Sequence, residues 1–211
     1  MFRSRMIMTQ RARVPIAFRS TATTSGSATV TKPAGVATGD LVVVILPDCS
    51  TGVTLTTTSG SAWNRTELTW WYNSVLFWKV LTGTDVSNTW GLSESNGAVA
   101  TAWQPGTSAV ASVYVTFAFN ALSAGASTLT IPGVTTNDAT KGVISIVVDR
   151  DTEVTPGTPT GFTSRVSTAV ETYLKTAVAD HVDYQGGDVV WTGLNGISTY
   201  AECGFLLHVV G

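Results

Sequence analysis

Residues 41–46, Leu-Val-Val-Val-Ile-Leu, are apolar at every position, and residues 143–148, Val-Ile-Ser-Ile-Val-Val, nearly so. A strand shows successive side chains to opposite faces, so a continuous apolar run predicts a strand covered on both sides. Elsewhere the pattern alternates. Val113, Val115, Phe117 and Phe119 fall on one face, with Tyr114, Thr116 and Ala118 on the other. Cys203, Phe205, Leu207 and Val209 share a face in the last predicted strand, and His208 lies opposite. Further strands are predicted at residues 16–18, 28–31, 53–58, 75–81, 89–92, 98–103, 128–131, 162–168, 173–178 and 189–194. Residues 23–27, 59–61 and 82–87 read as turns, and Pro47-Asp48 as a strand stop. Residues 166–180 come closest to helical periodicity, but their Thr, Val and Tyr content favours strands.

The pattern occurs twice. Residues 27–46 give strand, Pro-x-Gly turn, Gly-Asp turn and apolar strand; residues 127–148 give strand, Pro-Gly turn, Lys-Gly turn and apolar strand. Further matches keep the same order at offsets near 100. Pro33 matches Pro132 and Val36 matches Val134. Asp40-Leu41 matches Gly142-Val143, and Trp63-Asn-Arg65 matches Phe162-Thr-Ser-Arg165. Trp78-Lys79-Val80 matches Leu174-Lys175-Thr176, and Trp90-Gly-Leu92 matches Trp191-Thr-Gly-Leu194. Short strands between Gly/Pro/Ser turns, in two similar halves, predict an all-β antiparallel sandwich of jelly-roll type. The expected organisation is an arm at residues 1–13 and a sandwich at 14–211, with halves at about 14–108 and 109–211.

Composition agrees with this class. Hydrophobic residues make up 44% and charged residues 12%, about half the usual charged share, so surface covered by partners is expected. Charge separates the arm from the rest. Arg3, Arg5, Arg11, Arg13 and Arg19 stand in the first 19 residues with no acid; the net charge is −2, so the remainder carries −7. Such an arm takes an acidic neighbouring subunit as its first partner, and nucleic acid only second. No apolar run suits a secretory leader or a membrane span. Cys49 and Cys203 are too few for a disulfide framework and read as two buried thiols.

Candidate chemistry is sparse. There is no G-x-S-x-G elbow, phosphate-binding glycine loop or C-x-x-C spacing, so no cofactor or metal is expected. His181 and His208 are the only histidines, and both read as structural or solvated. The acids of 149–153 and Asp180/Asp183 lack a full calcium loop and read as solvated turn acids. Trp63, Trp78, Trp90, Trp103 and Trp191 lie in or beside strands and read as core. Trp70, Trp71 and Tyr72 are consecutive, so alternation aims at least one of them outward, against another subunit or a sugar.

The string T-x-P-x-G-V-x-x-G-D-L-V-V, from Thr31 to Val43, resembles the β-sandwich domains of tailed-bacteriophage virion proteins of head-decoration, head-fibre and tail-fibre type. Trp63/Phe162 ahead of an arginine, Val178-Ala179-Asp180 and Trp191-Thr192 extend the resemblance over about residues 14–211. It departs at Lys141-Gly142, where the second copy lacks Gly-Asp, and the arm lies outside it. The resemblance implies a non-enzymatic virion protein, assembled in the host bacterial cytoplasm. With no coiled-coil or collagen-like stalk to give a fibre its reach, the expectation is a capsid decoration protein. Its partners would be the major capsid protein or other virion subunits, in an oligomer or lattice. Arg3, Arg5, Arg11, Arg13, Trp70, Trp71 and Tyr72 are the expected contacts. The alternative is a fibre module binding a host surface glycan.

Overall fold

The computed structural model describes residues 14–57, 62–69, 73–106, 108–120, 127–137, 139–149, 153–171, 173–194 and 202–211. The first half holds β1 (Ala17–Val30), β2 (Leu41–Cys49), β3 (Leu55–Thr57), β4 (Asn64–Leu68), β5 (Asn73–Val80), α1 (Gly83–Ser87) and β6 (Trp90–Gln104). The second holds β7 (Ser112–Asn120), β8 (Thr128–Ile131), β9 (Thr140–Asp149), β10 (Thr163–Glu171), β11 (Leu174–His181), β12 (Val189–Thr192) and β13 (Glu202–Val210). Every named pairing is antiparallel. The chain is an all-β sandwich.

Strand order is the same in both halves. The first sheet runs β1-β6-β2-β5-β4 and the second runs β7-β13-β9-β11-β10. In each, the last strand of the half is inserted between the first and second long strands. β3 pairs with the start of β6, whereas β8 pairs with β12 as a separate small sheet. The continuous β1 and β6 of the first half thus correspond to the pairs β7/β8 and β12/β13 in the second.

The two sheets pack face to face. Leu41, Val43 and Ile45 of β2 meet Ile144, Ile146 and Val148 of β9 in a core shared with Phe205, Leu207 and Val209. The outer faces are also covered. Val42, Val44 and Leu46 lie with Leu55, Trp63 and Trp90 in a second core. Val143, Val147 and Leu206 lie with Leu129, Ile131 and Trp191 in a third. The arrangement therefore has four layers, which is why the central strands are apolar on both faces. No residue of β9 is exposed.

Cross-strand register corrects some of the residue matches. Trp63 precedes Asn64, which pairs with Trp78; Phe162 precedes Thr163, which pairs with Asp180. Trp63 and Phe162 thus correspond, facing Lys79 and His181. Lys175 does not match Lys79, because it pairs with Asp149 at the other end of its sheet. Leu41 and Gly142 correspond as the partners of Trp103 and Val209, so the match of Leu41 to Val143 is one residue out of phase. Ile16 fills the space at Gly142, where a Cβ would lie 3.1 Å from its Cγ1.

Local structure differs from expectation at four places. Residues 23–27 are not a turn but part of β1, which absorbs them through register shifts around Ser27. Pro47-Asp48 does not end β2. It makes an irregularity between Leu46 and Cys49, with Asp48 at φ 52°. The strands expected at 89–92 and 98–103 are one strand, β6, which begins at Trp90 and runs through to Gln104. Residues 82–87 contain a helical turn, α1. Thr82 caps it, accepting from Asp85 N, while the Asp85 carboxylate accepts from Thr82 N. The spacing Thr82-x-x-Asp85 carries that signal.

Candidate functional site

The strands give the sandwich two poles. At one, Ala17 pairs with Gln104, Leu41 with Trp103, and His181 with Val143. At the other, Cys49 pairs with Asn73 and Glu202 with Asn120. The poles of the two sheets coincide. Trp103 of the first sheet reaches Asp180 of the second at one end, and Ser74 hydrogen-bonds Cys203 at the other. β9 has ten residues, so the poles are about 30 Å apart.

Arg3, Arg5, Arg11 and Arg13 lie outside the described residues, as do Trp70, Trp71 and Tyr72. Their described neighbours fall on opposite poles. Val14 enters beside Gly106, and Ile16 N donates to Lys141 O at 3.1 Å. Asn73, which follows the aromatic run, sits at the far pole. Arg19, the remaining arginine of the basic segment, is committed to the sandwich through Asp40, with Nε to Oδ2 at 2.7 Å.

Polar groups inside the sandwich form two networks. In the seam between the halves, Asp180 accepts from Trp103 Nε1 at 3.1 Å and from Arg165 Nε at 3.0 Å. Arg165 also covers the Phe18 ring at 5.3 Å, and Phe18 packs edge-on against Trp103. Under the first outer layer, Lys79 Nζ donates to Asp85 Oδ1 at 2.5 Å. The Asp85 carboxylate also accepts from Thr57 Oγ1 and Thr82 Oγ1. Burial pushes the Asp85 carboxyl upward, but the Lys79 and threonine hydrogen bonds outweigh it and hold the carboxyl below its usual range. Sequence reasoning missed both networks, because their members are brought together only by the register. Asp180 and Asp149 are buried rather than solvated as expected; Asp151 lies outside the described residues.

The histidines have separate settings. His181 packs against Phe162 and Tyr184, and its Nδ1 accepts from Asp183 N at 3.2 Å. These residues line a cleft of about 320 Å³ with Asp188 and Val190. Asp188 accepts from Gly133 N, and Tyr184 donates to Gly187 O, so these groups serve the surrounding turns. A cleft of about 360 Å³ in the first half is lined by Thr54, Thr56, Trp63, Arg65 and Phe77. Arg65 is ion-paired with Glu67 there.

His208 is buried, with Nε2 2.8 Å from Thr140 Oγ1 and its ring near Tyr114. Burial pushes its pKa below 6.5. The unfolded chain then binds the proton more readily than the folded one. The stability due to neutral His208 is therefore complete above pH 6.5 and declines as pH falls from 6.5 toward the folded pKa. The slope of unfolding free energy against pH should reach up to about 1.4 kcal/mol per unit in that window. It should flatten in His208→Gln, as read from denaturant melts at stepped pH.

Burial raises the Cys49 thiol to about 12 and the Cys203 thiol to about 11, so neither is an activated nucleophile. Trp63, Trp90, Trp103 and Trp191 are buried, and Trp78 is half-buried against the inter-sheet core. Among the described residues, no group of three or more His, Cys, Asp or Glu could hold a metal ion, and no helix is long and apolar enough to cross a membrane.

No protein-family model matches the chain, and neither curated proteins nor solved structures show detectable similarity to it.

Proposed function

We propose that this chain is a structural, non-enzymatic virion protein of a tailed bacteriophage, and specifically a capsid decoration protein. The observation that carries the reading is the polar separation of the basic arm's root from the strand ends that flank the aromatic run. Val14 and Asn73 stand at opposite poles, about 30 Å apart. A protein clamped to a shell needs one end for attachment and another turned outward. The arm, with four arginines and no acid, suits an acidic shell surface. Repeated weak contacts over a lattice supply the avidity. The motif of residues 31–43 supports the virion class.

Deleting residues 1–13 is expected to abolish binding to assembled shells while leaving the thermal midpoint of the sandwich unchanged. Unchanged occupancy by the truncated protein would sink the proposal. The position of Asn73 also favours a second reading, in which Trp70, Trp71 and Tyr72 form a glycan-binding surface at the outward pole. On a glycan array, binding that disappears in Trp70→Ala and Trp71→Ala favours that reading.

A further inference from the structure

Among the described residues, four strands stand at the ends of the two large sheets: β1, β4, β7 and β10. A free edge offers unpaired backbone groups to another strand, and proteins blunt edges with charge, bulges or brevity. Three of these edges are blunted. β1 carries Arg19 and three register shifts. β10 carries Arg165 and two register shifts. β4 has five residues, including Arg65 and Glu67.

β7 has none of these devices. It pairs with β13 over nine positions without a shift, and Ser-Val-Tyr-Val-Thr-Phe-Ala-Phe-Asn contains no charge. No residue from Ser112 to Phe119 is buried; Tyr114 is 59% exposed and Phe117 46%. An uncharged, unbulged aromatic edge is a strand prepared for pairing.

The sequence of β7 also indicates the partner. Turned antiparallel on itself with Thr116 on the two-fold axis, it sets Tyr114 against Ala118, a large residue against a small one. On the other face it sets Phe117 against Val115 and Phe119 against Val113, aromatic against β-branched residues, which are favourable cross-strand pairs. No like charges meet. The chain's own arm is a poor occupant, because its four arginines find no acid on β7.

We propose that β7 pairs antiparallel with β7 of a second copy of this chain, joining two five-stranded sheets into one continuous sheet. This dimer is independent of the proposed shell binding, and its test uses the protein alone.

Light scattering of the full chain should show mass rising toward twice 22.1 kDa with concentration. Thr116→Lys puts two ammonium groups opposite each other and should weaken the dimer at least tenfold, with far-UV circular dichroism unchanged. Thr116→Cys should cross-link to a covalent dimer under mild oxidation, because directly opposed Cβ atoms lie within disulfide reach. Thr168→Cys on β10 should not. A wild-type chain that remains monomeric at about 0.1 mM overturns the proposal. So does a dimer that Thr116→Cys fails to cross-link, even if Thr116→Lys proves unable to fold.

Discussion

Replacing Asp85 by Ala should destabilise the sandwich by about 3–5 kcal/mol, the usual cost of stranding one member of a buried ion pair. In a chain of this size that corresponds to roughly 6–20 °C in Tm. Lys79 loses its buried carboxylate. It is 4% exposed, lies 5.7 Å from the Trp63 ring centroid, and is covered by the outer layer. Thr57 and Thr82 lose an acceptor at the same time, and α1 loses half of its capping box. The double variant Lys79→Met/Asp85→Ala should recover most of the loss, since a buried pair replaced by apolar groups is often neutral. If the double variant is as unstable as the single one, the loss comes from the cap and not from the broken ion pair. Acid should act on the same site. Because the folded pKa lies below 3.8, the carboxylate's stabilisation is complete above pH 3.8 and is lost as pH falls from there through the folded pKa.

The second large effect is expected at Asp180. Asp180→Ala leaves Trp103 Nε1 as a buried donor without its acceptor and deprives Arg165 of its partner. Arg165 is 28% exposed and recovers part of its loss from water, so the expected destabilisation is about 2–3 kcal/mol. Asp180→Asn keeps an acceptor for Trp103 and should cost less, about 1–2 kcal/mol. Urea melts of the two variants check the order. Phe18 and Trp103 come from β1 and β6, and Arg165 and Asp180 from β10 and β11, so the seam couples the two halves. The Asp180→Ala transition should broaden or split if that seam is what makes the halves unfold together. A single sharp transition would assign the coupling to the inter-sheet apolar core.

The central strands were legible in the sequence because burial on both faces leaves a direct trace. β2 and β9 could only be apolar runs. The duplication was legible because turns recur with the strands. Register was not, since a lysine in a strand looks the same wherever it falls along the ladder. Lys79 and Lys175 resemble each other in sequence, yet one is sealed under an outer layer while the other lies at the far end of its sheet. Proline misled in a different way. Pro47 can end a strand or sit at an irregularity, and residue identity alone does not distinguish the two. The short β3, β8 and β12 were legible as strands, and so was the need for cover on both faces; that these strands lie over the outer faces was not, because three or four residues each carry no sign of which sheet they cover. The expected contact residues in the arm and the aromatic run lie outside the described residues; only the neighbouring Val14 and Asn73 are placed, at opposite poles.

Ile16 has a mechanical consequence. It is 1% exposed, packs in the core between the sheets against Gly142, and holds Lys141 O with its backbone amide. Only Val14 and Pro15 separate it from the arm at residues 1–13, so the arm's root lies in the interior. The root at Val14 transmits any pull to Ile16 and so to the inter-sheet core. To yield, it must draw an isoleucine out of a packed site. Detachment of the sandwich from whatever grips the arm is then resisted by a rupture step at Ile16, a fuse set inside the fold.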